Sequence, residues 1–382
     1  MKIGILTHPL DYNYGCLLQA YALQKVIKSM GHEVVTINRF SNPKVAFLAQ
    51  FKNWAKRIAS HYVKGNNVSL CWNPNLTMDM KRTLFSRTKK FVDRNITNTG
   101  IVFPSDLERI DKEYQFDAYV VGSDQVWLPN FSLNCFLDFV HRDSVKRIFY
   151  AASSGSSSFA DFPSLAAKCK TLSAKFSGIS VREDSLIPVA REILGRDAIQ
   201  VLDPTLLLDA KDYLAACVER GDTSHIIFTY ILDKTKDKEE LVDEVQKELH
   251  LPVVAGSVEK DYERGKGMDI DKCIYPSVDH WILNMARAKF VITDSFHGTC
   301  LAITFRKPFV VVANEARGLN RFLSLLRLFN LENRLITDST QFSPSFYSQL
   351  DDKYISTLLE KKRTEAIDFI KNNISLPLGK SS

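Results

Sequence analysis

The stretch FVITDSFHGTCLAITFRKPFVVV, residues 290–312, sets a single histidine, His297, between an apolar β-branched run and a helical pattern. An imidazole, with an ordinary pKa of about 6.5, can donate or accept a proton near neutral pH. Asp294 and Ser295 are helix N-cap residue types, and Gly298 lets another backbone approach closely just before Thr299 and Cys300. An anion held at this junction by Ser295, Gly298 and Thr299 would meet free N–H groups and the positive end of the helix dipole. The arrangement suits acid/base work on an anionic substrate, with His297 as the general acid or base.

Further chemistry-bearing residues fall in other segments. Arg182, in SVREDS (180–185), has the planar fork that grips a carboxylate or phosphate at two points, its structural alternative being a salt bridge to Glu183 or Asp184. Arg317 and Arg321 follow the strand after His297 and could supply more positive charge or lie on a solvated helix face. Ser123, Asp124, Gln125 and Trp127 offer hydroxyl, carboxylate, amide and indole, a set suited to sugars, although a tryptophan is often a core residue. Asn13, Tyr14 and Gly15 form a loop before the first helix that could hydrogen-bond an acceptor or close over a donor, and Gln19 lies one turn inside that helix. Cys300 has apolar neighbours and reads as a core thiol. Glycine-rich dinucleotide and phosphate-loop motifs and a nucleophile-elbow serine are absent. His297 has no His or Cys at ligand spacing and His280 is isolated, so no metal is expected.

Apolar spacing indicates the elements that must position these groups. Residues 3–7 read as a strand, 8–15 as a loop, 16–30 as a helix and 34–38 as the next strand, with Leu18, Tyr21, Ala22, Leu23, Val26 and Ile27 on one helix face. Residues 40–100 form a helical excursion whose aromatic and basic residues, Phe47, Trp54, Lys56, Arg57 and Tyr62 among them, could touch an acceptor or a membrane. Strands at 118–121, 147–152 and 178–181 deliver the Ser123, Ser153 and Arg182 loops, and 201–203 ends the series before Pro204. A second series follows, with strands at 226–231, 252–254, 290–293 and 309–312 and helices at 238–248, 278–288 and 299–304. An amphipathic segment at 351–374 would pack back across both. If the sheets are parallel, all these loops share the edge where ligands bind in open α/β folds.

Composition fits this reading. The chain has 382 residues, 45% hydrophobic and 25% charged, enough for two ordinary α/β domains and a cleft between them. Its net charge of +6 is spread along the sequence, which, without a dense Lys/Arg face, gives nucleic-acid binding little support. No signal segment and no run of about 18 apolar residues is present. The seven cysteines are scattered and never form a Cys-x-x-Cys pair, as expected of reduced thiols in a cytoplasmic protein.

Five segments, NYGCLLQAYAL (13–23), DAYVVGSDQVW (117–127), SVREDS (180–185), DPTLLL (203–208) and DSFHGT (294–299), occur in an order that resembles the polysaccharide pyruvyl transferase family over roughly residues 1–335. The resemblance implies two Rossmann-like α/β domains facing a cleft, similar to GT-B glycosyltransferases. Residues 1–205 would form the acceptor side, 206–350 the donor side, and 351–382 a closing helix and tail. It further implies phosphoenolpyruvate as co-substrate without a cofactor, a saccharide or lipid-linked saccharide as acceptor, and a cyclic pyruvate ketal as product, in capsule, exopolysaccharide or cell-wall assembly. Arg182 and His297 would be the donor-binding cation and the catalytic residue. In active members Arg-Leu often precedes the histidine, where this chain has Ser295-Phe296, so the cations would come from Arg182, Arg317 or Arg321. Alternatives are a glycosyltransferase using a nucleotide-sugar and a non-catalytic assembly protein. The expected location is the cytoplasm, with peripheral contact at the inner membrane face and a homo-oligomer both compatible.

Overall fold

The computed structural model describes residues 1–41, 82–127, 133–155, 163–258, 273–313 and 318–375. The excursion residues 42–81, Arg317 and the tail beyond 375 therefore lie outside the described residues.

Short β-branched runs form two parallel sheets. In the first, β1 (Lys2–Leu6), β2 (Glu33–Arg39), β3 (Asn98–Val102), β4 (Ala118–Val121), β5 (Lys146–Ala152), β6 (Gly178–Val181) and β7 (Ile199–Gln200) take the order β3-β2-β1-β4-β5-β6-β7. The second contains β8 (Ile226–Tyr230), β9 (Val253–Ala255), β10 (Ala288–Thr293), β11 (Phe309–Val312) and β12 (Leu335–Ile336) in the order β12-β11-β10-β8-β9. Strands β4 and β11 are buried along their whole length, as parallel strands covered on both faces must be.

Parallel register puts the important loops at neighbouring strand ends. Leu6 pairs with Val121 and Ala152 with Val181, so the loops after β1, β4, β5 and β6 emerge side by side. In the second sheet Tyr230 pairs with Thr293, placing residues 231–235 beside the loop that leads to His297.

Caps move the helix starts away from the positions that apolar spacing suggests. Helix α1 (Tyr14–Ser29) begins early because Asn13 Oδ1 accepts from the N–H groups of Gly15 (3.0 Å) and Cys16 (3.3 Å). Tyr14 and Gly15 are thus in its first turn rather than in a loop. Helix α2 (Phe296–Thr304) likewise starts at once after Ser295, whose hydroxyl accepts from Gly298 N–H. The expected strand at 201–203 is replaced by β7 just before it. Asp203 instead caps a short turn, its Oδ1 accepting from Thr205 N–H at 2.9 Å across the donorless Pro204. Edge strands β3 and β12 were not foreseen, since one is polar and glycine-containing and the other has two residues.

The two sheets share buried packing. Leu17, Leu18 and Leu23 of α1 belong to one apolar cluster with Cys300, Leu301 and Ile303 of α2. Tyr14 donates from its hydroxyl to Pro276 O at 2.9 Å and stacks on Trp281 at 5.7 Å, so α1 bridges to the second sheet's flank. The last helix, α3 (Asp352–Ser375), returns to the first sheet's side, where Arg363 donates to Leu206 O, Leu208 O and Asp209 Oδ1. No described helix is long and apolar enough to cross a membrane.

Candidate active site

Where the two sets of loops meet there is a pocket of about 360 Å³. His8, Asn13 and Cys16 line it from the β1–α1 connection, Asp124 and Gln125 from the loop after β4, and Leu232, Ser295, Phe296, His297 and Arg321 from the second sheet's side.

The loop carrying His297 is fixed from beneath. Asp294 accepts from Leu232 N–H (2.6 Å), Asp233 N–H (3.0 Å) and buried Lys238 Nζ (2.6 Å). Thr293 Oγ1 accepts from Ser295 N–H at 3.0 Å, and Thr299 donates from its hydroxyl to Ser295 O at 3.0 Å. Gly298 is required by space, because a Cβ there would overlap the Thr293 side chain. Ser295 thus faces the pocket while capping α2, whereas Gly298 and Thr299 support the turn without lining the pocket.

His297 Nε2 lies 3.6 Å from Asp203 Oδ2, and Gly15 presses on the other side of the ring. Asp203 also accepts from Ser123 Oγ (3.0 Å), Arg182 Nη1 (3.3 Å) and Thr205 Oγ1 (2.7 Å). Burial alone would raise its pKa, but His297, Arg182 and Thr205 more than reverse this and hold the carboxyl well below its ordinary range. Asp124 behaves similarly: burial opposes its charge, and His8, Arg182, His297 and Arg321 together keep it ionised.

Arg182 is not open to a ligand in the way its motif suggests. Its guanidinium is buried against Asp124, Asp203 and Glu183 at 3.3–3.4 Å, donates to Ser153 Oγ at 3.0 Å, and lies 4.1 Å from the centre of the Phe296 ring. Its single positive charge is shared among the three acidic side chains. The salt bridge to Glu183, the structural alternative to a ligand contact, is present. Asp184 pairs with Arg327 at 3.9 Å instead. Glu183 is pushed up by burial, and its contacts to Arg182 and Ser153 offset this only in part. Among the described residues, the Lys or Arg that lines the pocket is Arg321.

Several residues read as acceptor contacts have other positions. Gln19 is fully buried; its Nε2 donates to Thr7 Oγ1 at 2.7 Å and its Oε1 accepts from Ser123 N–H at 3.2 Å, which ties the β1 and β4 loops together. Trp127 is a core residue against Phe149. Tyr14 bridges to Pro276 and Trp281, and Ser123 holds Asp203. Asn13, Asp124 and Gln125 do line the pocket, Asn13 while capping α1. Cys300 is buried and burial pushes its thiol well above the ordinary range, as in a core residue.

His8, Cys16 and Asp203 escaped the sequence reading. Asp203 carried a signal in its Asp-Pro-Thr capping pattern, and His8 carried one in its place just past β1. The expectation of no metal rested on ligand spacing along the chain, yet the fold gathers His8, Cys16 and Asp124 with one ligand atom from each within 4.8 Å of the others. Burial lowers the His8 pKa, with Asp124 and Asp11 opposing, and burial together with Asp124 raises that of Cys16.

The model of the family described as polysaccharide pyruvyl transferase matches residues 13–316. The chain belongs to this family. Membership makes this pyruvyl transferase relative an enzyme of the transferase class. No curated protein sequence matches it. Among solved structures it is similar to S. aureus MnaA in complex with UDP, at 14% identity and a TM-score of 0.52 over 100% of this chain and 99% of that one. A putative UDP-N-acetylglucosamine 2-epimerase from Listeria monocytogenes gives 12% identity and a TM-score of 0.51 over 100% of both chains. At such identities the likeness is one of fold, and the two parallel-sheet domains are of the GT-B type.

Proposed function

We propose that this family member transfers the pyruvyl group of phosphoenolpyruvate to two hydroxyls of a saccharide, releasing inorganic phosphate and leaving a cyclic ketal. The observation that carries this reading is the pairing of His297 with Asp203 at a pocket that half-buried Arg321 also lines.

The reaction divides into steps that these groups suit. A proton is added to the methylene carbon of the donor, and the adjacent carbon becomes oxocarbenium-like. One sugar hydroxyl adds there and loses its proton; the second displaces phosphate, its proton leaving with the departing group or the base. Two C–O bonds, one C–H bond and one O–H bond on the departing phosphate form, while the C=C π bond, two hydroxyl O–H bonds and the C–O bond to phosphate break. Asp203, next to Nε2, would orient the ring, and the missing side chain at Gly15 leaves the imidazole room to keep this position. Arg321 would balance the donor's phosphate or carboxylate, while Asn13, Asp124 and Gln125 would receive sugar hydroxyls.

Calorimetric titration with phosphoenolpyruvate, UDP-sugars and GDP-sugars tests the donor. Saturable binding of phosphoenolpyruvate that weakens in Arg321→Ala supports the reading. Selective binding of a nucleotide-sugar replaces it with a glycosyl transfer.

A further inference from the structure

We propose that His8, Cys16 and Asp124 form a binding site for a zinc-like divalent cation whose open coordination position faces the pocket shared with His297.

The topology builds this cluster from distant segments. Strands β1 and β4 are parallel neighbours, so the loop holding His8 and the loop holding Asp124 leave the sheet together, while Cys16 comes from the first turn of α1 between them. Cys16 Sγ stands 3.5 Å from Asp124 Oδ2, and the three ligand atoms lie within 4.8 Å of one another. In a tetrahedral zinc site, bonds of about 2.0–2.3 Å separate neighbouring ligand atoms by roughly 3.3–3.8 Å. The cluster therefore needs a contraction of at most about 1.5 Å at its widest pair to enclose the ion.

The donor set selects the class of metal. One imidazole, one thiolate and one carboxylate suit zinc and related transition ions, whereas magnesium and calcium prefer oxygen-only sites. Three protein ligands leave a fourth position, as in zinc sites that bind water or substrate. All three residues line the pocket, so that position is open to a water or to an anionic oxygen of a ligand. Asp124 is also supported from behind, its Oδ1 accepting from Arg182 Nη1 at 3.4 Å, as outer groups commonly orient a metal-binding carboxylate.

The test uses the full-length protein stripped with chelator and titrated with Co²⁺, then with Zn²⁺, without donor or acceptor. The expected result is uptake of one equivalent, with a near-ultraviolet thiolate-to-cobalt absorption band that Zn²⁺ abolishes by displacement. Cys16→Ser should lose the band, and His8→Gln should weaken Zn²⁺ binding by at least about tenfold, since even outer-shell changes cost that much. Cys71→Ser, Cys217→Ser and the wild type should behave alike. Circular dichroism checks that each variant is folded; if Cys16→Ser is not, His8→Gln decides. No Co²⁺ uptake, uptake without a thiolate band, or a band retained unchanged in a folded Cys16→Ser or His8→Gln variant would overturn the proposal. Because metal binding is read directly, failure of pyruvyl transfer and failure of this site are separate outcomes.

Discussion

Gly15 packs directly against the imidazole of His297: a Cβ at residue 15 would fall 2.5 Å from Cγ of that ring and nearer still to Nδ1. The first helix of one sheet and the His297 turn of the other thus meet at a point with no room for a methyl group. Gly15→Ala must push the ring from Asp203 or shift α1. A displacement near 1 Å at a reacting group costs about 10²-fold in rate. We expect kcat to fall by that order while circular dichroism stays native; unchanged turnover would show that the position of His297 does not matter.

Asp203→Asn keeps the side chain's size but removes the charge next to His297. The loss expected for a disabled acid/base pair is roughly 10²–10⁴-fold in kcat, with a much smaller change in donor affinity. Steady-state kinetics separate the two, and a variant that changed only KM would assign Asp203 to binding.

Arg182 and Arg321 should fail in different ways. Arg182→Met leaves Asp124, Asp203 and Glu183 buried without their shared cation. Breaking a buried ion pair from one side costs about 3–5 kcal/mol, so urea unfolding should show a large loss of stability. Arg321→Ala should lower the urea midpoint much less than Arg182→Met does and raise the donor KM. If both variants were equally stable, the buried role of Arg182 would be wrong.

Part of this site was legible in the sequence. His297 stood out because β10 and α2 announce themselves by an apolar run and a cap, and the loops of Asn13, Ser123 and Arg182 followed from the ends of apolar strands. What Arg182 does could not be read there: its partners Asp124 and Asp203 lie 58 and 21 residues away and meet it only when β4, β5 and β6 align. Of the two acidic residues that follow it, Glu183 is a partner and Asp184, as plausible on spacing, pairs with Arg327 instead. Gln19 and Trp127 show the reverse, polar or amphipathic groups near a cleft motif that the fold uses internally.

Acid and base act oppositely on this network. Asp124 and Asp203 have folded pKa values below the unfolded value of about 3.9, so their stabilisation is present above that pH and is lost as pH falls through the folded values. Glu183 has a raised folded pKa, so its contribution is complete below about pH 4.3 and is lost as pH rises through the folded value. Glu183→Gln removes the second term. Its melting temperature relative to wild type should therefore climb between about pH 4 and pH 7, and a flat difference across that range would contradict the assignment.

The most direct measurement is phosphorus NMR of phosphoenolpyruvate incubated with the enzyme and a panel of saccharide diols. The account predicts conversion of the enol-phosphate signal to inorganic phosphate only when a suitable diol is present, a pyruvate ketal in the product, and no conversion with folded His297→Ala. Phosphate release that persists in His297→Ala, or a panel in which a nucleotide-sugar is consumed and phosphoenolpyruvate is untouched, would contradict it.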